Sequence, residues 1–175
     1  MGNAAGTGFG SRGTVDFLTK FTGSDQFEKV FKEGMGLVEE TANYLDGQGR
    51  ADSKILDRSG AIAYATESMR LTTRLMQLAS WLLLQRAIAA GELGSDEARK
   101  EKNRISLSDI GRGSDIPGAE QLPEGLTELV DRSLRLLDRI RTLDLMISRQ
   151  KQPEAVNENP VASQLDQLAR AFGTR

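Results

Sequence analysis

The stretch Tyr64-Ala-Thr-Glu-Ser-Met-Arg-Leu-Thr-Thr-Arg-Leu-Met-Gln-Leu-Ala-Ser-Trp-Leu-Leu-Leu-Gln-Arg-Ala87 constrains the fold more than any other part of the chain. Its first half sets Leu71, Leu75 and Leu78 on one side of a helix, against a polar stripe of Glu67, Arg70, Arg74 and Gln77. Its second half, Leu78 to Leu84, is apolar nearly all the way round. A helix of that kind has to be covered on every side. A three-helix domain covers only part of it, so a second subunit or a partner is expected to supply the rest. Leu78, Trp81, Leu82, Leu84 and Gln85 are therefore the expected homodimer seam, and a contact scaffold is favoured over a reaction centre.

Two further helices flank this one. Asp25 and Glu28 form a capping-box pair at the start of the first, which carries Phe27, Val30, Phe31, Met35, Val38, Ala42 and Leu45 at three-and-four spacing. Gly34 and Gly36 each lower helix propensity by roughly 1 kcal/mol against Ala, and on one turn they let another backbone come close. Asp46-Gly47 stops the pattern, and residues 47–51 read as a turn. The second helix begins between Asp52 and Ser59 and runs to about Ala90. It is about 50 Å long against about 32 Å for the first, so its Trp81 end is expected to overhang. Pro123 opens the third helix, whose stripe runs from Leu126 through Leu129, Leu136 and Ile140 to Ile147.

The spacing predicts an all-α chain, an antiparallel three-helix bundle with a long central helix and flexible N- and C-terminal arms. The arms are 1–23 and 151–175, the bundle is 24–150, and 92–122 is a long connection of the mobile or functional kind. Ser95 can cap a short charged helical turn within it. In the tail, Asn159-Pro160 is a cap followed by a first-turn proline. Val161, Leu165, Leu168, Ala169 and Phe172 then fall on one helical face.

Composition narrows the chemistry. The 175-residue chain has no Cys and no His. Disulfides, thiolate chemistry, His-based nucleophile pairs and His/Cys zinc sites are all excluded. Glu39-Glu40 reads as a charged outer face, because adjacent glutamates diverge by about 100° and no His partners them. No catalytic, metal or cofactor residue is assigned. A net charge of −2 gives no global cationic excess for nucleic acid. Helix three does offer Arg132, Arg135, Arg139, Arg141 and Arg149, but Asp131, Asp138 and Asp144 interleave with them. A small nucleic-acid-binding regulator is thus the second reading. The longest apolar run is far shorter than the ~20 residues of a membrane span. Gly6 breaks the N-myristoylation pattern. The chain reads as cytoplasmic, with no membrane insertion.

Two surfaces are candidates for partners. The stripe Glu67, Arg70, Arg74, Gln77 is either a solvated face with an i,i+3 ion pair or a docking surface for a protein. The tail segment with Leu165, Leu168 and Phe172 packs on its own bundle, stays disordered, or folds onto a partner groove.

The long segment Glu67 to Arg86, with Gly34-Met-Gly-Leu-Val-Glu-Glu-Thr-Ala-Asn-Tyr-Leu-Asp46 before it, closely resembles the alphaproteobacterial family of the regulator of CtrA degradation. The resemblance covers roughly residues 24–150. It implies a three-helix bundle that forms homodimers and acts as an adaptor. Its implied role is to help deliver a cell-cycle transcription factor to the ClpXP protease at the cell pole. The partners it implies are the protease machinery, the substrate transcription factor, a response-regulator protein and a cyclic-di-GMP-binding effector.

Overall fold

A computed structural model describes residue 20 and residues 23–107 and 115–151. Among these the chain is helical, with no strand. The helices bounded within the described residues are α1 (Asp25–Asp46), α2 (Gln48–Ser53), α3 (Arg58–Ala89), α4 (Ser95–Arg104) and α5 (Glu124–Lys151), and a 3-10 turn, Ala119–Gln121, precedes α5. The expected arms fall almost wholly outside the described residues.

Each long helix starts where its end groups are satisfied. The N-cap of α1 is Ser24, one residue before the expected Asp25, and its hydroxyl accepts from the Phe27 N–H at 3.3 Å. Asp25 and Glu28 lie instead in the first turn, where the helix dipole favours negative charge. Asp57 caps α3, accepting from the Gly60 N–H at 2.8 Å and from Gln121 Nε2 at 3.0 Å. Those donors hold its carboxyl below the usual range, the Gly60 N–H being the largest cause. At the far end Gly91 adopts φ +73°, the left-handed stop that glycine accepts readily.

Residues expected to form a plain turn after α1 wind into α2. Gln48 Nε2 donates to Asp52 Oδ1 at 2.7 Å, and the Tyr44 hydroxyl donates to Asp52 Oδ2 at 3.1 Å. Gly49 is buried there because a Cβ would stand 2.5 Å from the Tyr64 hydroxyl. Burial and the Asp52 carboxylate push the Tyr44 phenol far above its ordinary value.

Cross-helix contacts fix the topology. Tyr44 meets Gly125, Glu40 meets Arg132 and Glu33 meets Arg139, so α1 and α5 run antiparallel. Gly34 meets Leu82, and Phe31 lies under the Arg86 guanidinium at 4.7 Å, so α1 and α3 are antiparallel too. Arg74 meets Ser133 and Trp81 meets Asp144, which makes α3 and α5 parallel. The connection 92–122 therefore has to travel back along the bundle, which accounts for its length. It is pinned at both ends. Lys102 binds Ser148 and Asp144 on α5, and the backbone of Gly118 packs against Ser59 with φ +86°. Between them, Arg141 donates to the Leu107 carbonyl at 2.9 Å through Nε.

This register reverses the expected overhang. Gly34 opposite Leu82 and Phe31 opposite Arg86 bring α1 alongside the Leu-rich end of α3. The projecting part is the opposite end, around Gly60 to Met69. There α2 and the 3-10 turn cover one side only, through Gly49 on Tyr64 and Gln121 on Gly60.

Candidate interaction surface

The long helix α3 is turned in a way its sequence does not announce. The stripe expected to meet solvent or partners faces inward: Arg74 is 0% exposed and Glu67 7%. Arg74 Nη1 donates to Ser133 Oγ at 2.6 Å, and that hydroxyl donates to the Val130 carbonyl at 2.7 Å. Glu67 lies 3.5 Å from Arg70 and 3.9 Å from Arg74. Arg70 and Gln77 are half-buried. Glu67, Arg70 and Arg74 thus come together as a polar layer, with Arg74 held against α5, and none of the four forms an open docking face. A buried charge needs a partner and hydrogen bonds to be tolerated, and Ser133 and Glu67 supply them.

The five residues expected at a dimer seam are also inside the single chain. Leu78, Trp81 and Gln85 are each 1% exposed, Leu82 is 0% and Leu84 is 6%. The premise that one chain could not shelter them fails because a fourth element arrives. Helix α4, on the returning connection, packs over the Leu-rich end and sets Lys102 3.0 Å from Asp144 Oδ1. The same Asp144 oxygen accepts from the Trp81 indole at 2.9 Å. On the other side Gly34 admits Leu82 so closely that a Cβ would meet its Cδ1 at 2.5 Å, so it is a side chain, not the backbone expected from the glycine pair, that uses the space. Gly36 has nothing near it.

What α3 presents outward instead is free of charge. Its exposed residues from Ile62 to Leu83 are Ile62, Ala65, Met69, Thr72, Thr73, Met76, Ser80 and Leu83. Ile62, Met69, Met76 and Leu83 recur every seventh position and are 57, 66, 65 and 53% exposed. A strict seven-residue repeat keeps one seam facing a partner helix. The hydroxyls of Thr66, Thr72 and Thr73 each donate to a carbonyl four residues back in their own helix at 2.8 Å, which leaves methyl groups to face out. Beside this seam, Val38, Thr41, Ala42 and Leu45 of α1 and Thr72, Leu75, Met76 and Ala79 of α3 enclose an apolar groove of about 230 Å³. Following the leucine stripe of α3 missed this surface. The signal that could have found it is the heptad spacing of Ile62, Met69, Met76 and Leu83.

The arginines of α5 are largely engaged. Arg132 binds Glu40 at 2.7 Å, Arg139 binds Glu33 at 2.5 Å, and Arg141 binds the Leu107 carbonyl. The hydrogen bond from Arg132 is the main cause of a lowered Glu40 pKa. These pairings take cationic groups away from a phosphate-binding face, and the nucleic-acid reading is not favoured. Among the described residues no group of three His, Cys, Asp or Glu is arranged to hold a metal. No helix among them is long and apolar enough to cross a membrane. Leu165, Leu168 and Phe172 lie outside the described residues.

The fold and this surface define an all-α bundle protein with an apolar seam on its longest helix. A family model described as a protein of unknown function, DUF1465, matches residues 18–172. RcdA from Caulobacter crescentus CB15, a solved structure, is 49% identical, with a TM-score of 0.58 over 74% of this chain and 96% of that one. The chain belongs to this family, the one that residues 34–46 and 67–86 resemble. No functionally curated protein matches it.

Proposed function

We propose that this protein is a non-catalytic adaptor in regulated proteolysis. It helps deliver a CtrA-like cell-cycle transcription factor to the ClpXP protease, with a response-regulator protein and a cyclic-di-GMP-binding effector as further partners. The observation that carries this reading is the 49% identity to RcdA over 74% of the chain. A chain without His or Cys also favours contact over chemistry. The mechanism is proximity: the bundle holds one partner and the tail, through Leu165, Leu168 and Phe172, engages another.

The same adaptor is a homodimer in this reading, with its seam moved from the buried ring to the outer face of α3. That face is close to palindromic in chemistry. Reversing it pairs Ile62 with Leu83, Ala65 with Ser80, Met69 with Met76 and Thr72 with Thr73. A two-fold axis near Thr72-Thr73 would lay two copies of α3 antiparallel, each residue meeting its like, as an isologous contact requires.

A reconstituted degradation assay tests the adaptor reading. With ClpXP, the response regulator and a CtrA-like substrate present, adding this protein should raise the degradation rate several-fold. An unchanged rate would overturn the reading. Sedimentation of the full chain tests the seam: Met69→Lys with Met76→Lys should leave a folded monomer.

A further inference from the structure

The apolar groove between α1 and α3 lacks an occupant among the described residues. Its walls are Val38, Ala42 and Leu45 on one side and Leu75, Met76 and Ala79 on the other. Thr41, 3% exposed, lines it with a hydroxyl that has no hydrogen-bond partner among the described residues. Elsewhere on the bundle, α4 already packs beside α3 and α5. The α1/α3 side is open where a fourth helix would complete the layer.

We propose that residues 160–172 of the same chain dock in this groove, with Leu165, Leu168 and Phe172 directed at the cavity. Three observations favour this occupant. The segment carries Val161, Leu165, Leu168, Ala169 and Phe172 at helical spacing behind Asn159-Pro160, so as a helix it has one apolar face. The family model's match runs through it to residue 172, well past the end of α5. Reach is sufficient as well. Because Glu40 opposes Arg132 and Glu33 opposes Arg139, the end of α5 lies near the start of α1, about 30 Å along the axis from Thr41. Residues 152–159 extended span about 26–29 Å. A helix over 160–172 adds about 20 Å, which carries its apolar face past Thr41.

Docking of this kind would regulate the surface assigned above. A helix seated against Met76 and Thr72 covers the centre of the outer α3 seam, so the tail-docked chain and the paired chain exclude each other. It also withholds Leu165, Leu168 and Phe172 from any other partner. The inference rests on the adaptor and dimer reading only for what it regulates, not for whether the tail docks. Tethering favours the intramolecular contact, since a short linker sets an effective concentration of about the millimolar range.

The absence of native cysteine makes a clean test possible. In the full chain, Ala79→Cys is combined with Ala169→Cys, on the apolar face of the segment, or with Gln167→Cys, on the opposite face. Disulfide formation is followed at submicromolar protein under mild oxidation. The expected result is at least tenfold faster crosslinking of the 79/169 pair than of the 79/167 pair, with the product at monomer mass. Adding Leu168→Asp and Phe172→Asp should abolish that difference and raise self-association measured by sedimentation. Equal rates for the two pairs, or crosslinks found only between separately labelled single-cysteine chains, would overturn the proposal. A chain that crosslinks as expected but does not stimulate ClpXP would sink the adaptor reading and leave the docking intact.

Discussion

The two faces of α3 invert the usual arrangement of a bundle helix. The inward face holds Arg74, Glu67 and Gln85 among its leucines, all buried. The outward face shows Ile62, Met69, Met76 and Leu83 to solvent. Inside, each polar group needs specific partners, so the layer around Arg74 and Ser133 sets which residues of α5 lie opposite α3. Outside, nothing demands a particular partner beyond apolar contact every seventh residue. One face fixes the register of the fold, and the other is left for association.

Several changes would break or sharpen that contrast. The largest loss should come from Trp81→Ala, which empties a site 1% exposed and leaves Asp144 with one partner fewer. Cavity formation at that site should cost about 3–5 kcal/mol in chemical denaturation. Next is Arg74→Met, which removes the buried cation from Glu67 and Ser133, leaving them only Arg70 and the Val130 carbonyl, and should cost about 3 kcal/mol. If Arg74→Met together with Glu67→Leu recovers part of that loss, the charges act as a coupled unit. On the outer face, Met69→Lys with Met76→Lys should change stability by less than about 0.5 kcal/mol per site while removing self-association. A large loss of stability there would mean that the outer face belongs to the core.

The smallest effect is that of pH. The Arg132 guanidinium holds the Glu40 carboxyl below its ordinary value. A carboxylate whose folded pKa is lowered contributes stability that is present above its unfolded pKa and is lost as pH falls through the folded one. The pair is half-exposed, so its contribution is about 0–1 kcal/mol. Arg132→Met should bring the Glu40 midpoint back up in an NMR titration and flatten the acid limb of stability slightly.

These contrasts also mark what the sequence reveals. Spacing and end signals such as Gly91 and Pro123 placed α1, α3 and α5 to within a few residues, although the start of α3 was left open between Asp52 and Ser59 and the α1 cap fell on Ser24 instead of Asp25. The orientation of α3 was not legible, since its interior is as polar around Arg74 as its exterior is around Thr72 and Thr73. No periodicity count separates a buried arginine paired with Ser133, 59 positions away, from one in water. The burial of Trp81 was hidden for a similar reason. Its indole bonds to Asp144, which Lys102 of α4 also binds, on a connection whose sequence reads as an interruption, and the parallel course of α3 and α5 is what sends that connection back along the bundle. Helix α2 was masked by Gly47 and Gly49, whose turn-forming bias yields to the packing of Tyr44 and Tyr64.

The antiparallel course of α1 and α5 has one more consequence. It brings the entry of the chain at Asp25 and its exit at Lys151 to the same tip of the rod. Two rods laid antiparallel along α3, as in the proposed pairing, would carry Asp25 and Lys151 of each copy at opposite poles. Segments leaving the two bundles of such a pair would start far apart, so each pole would offer its own pair of chain termini and neither would crowd the other.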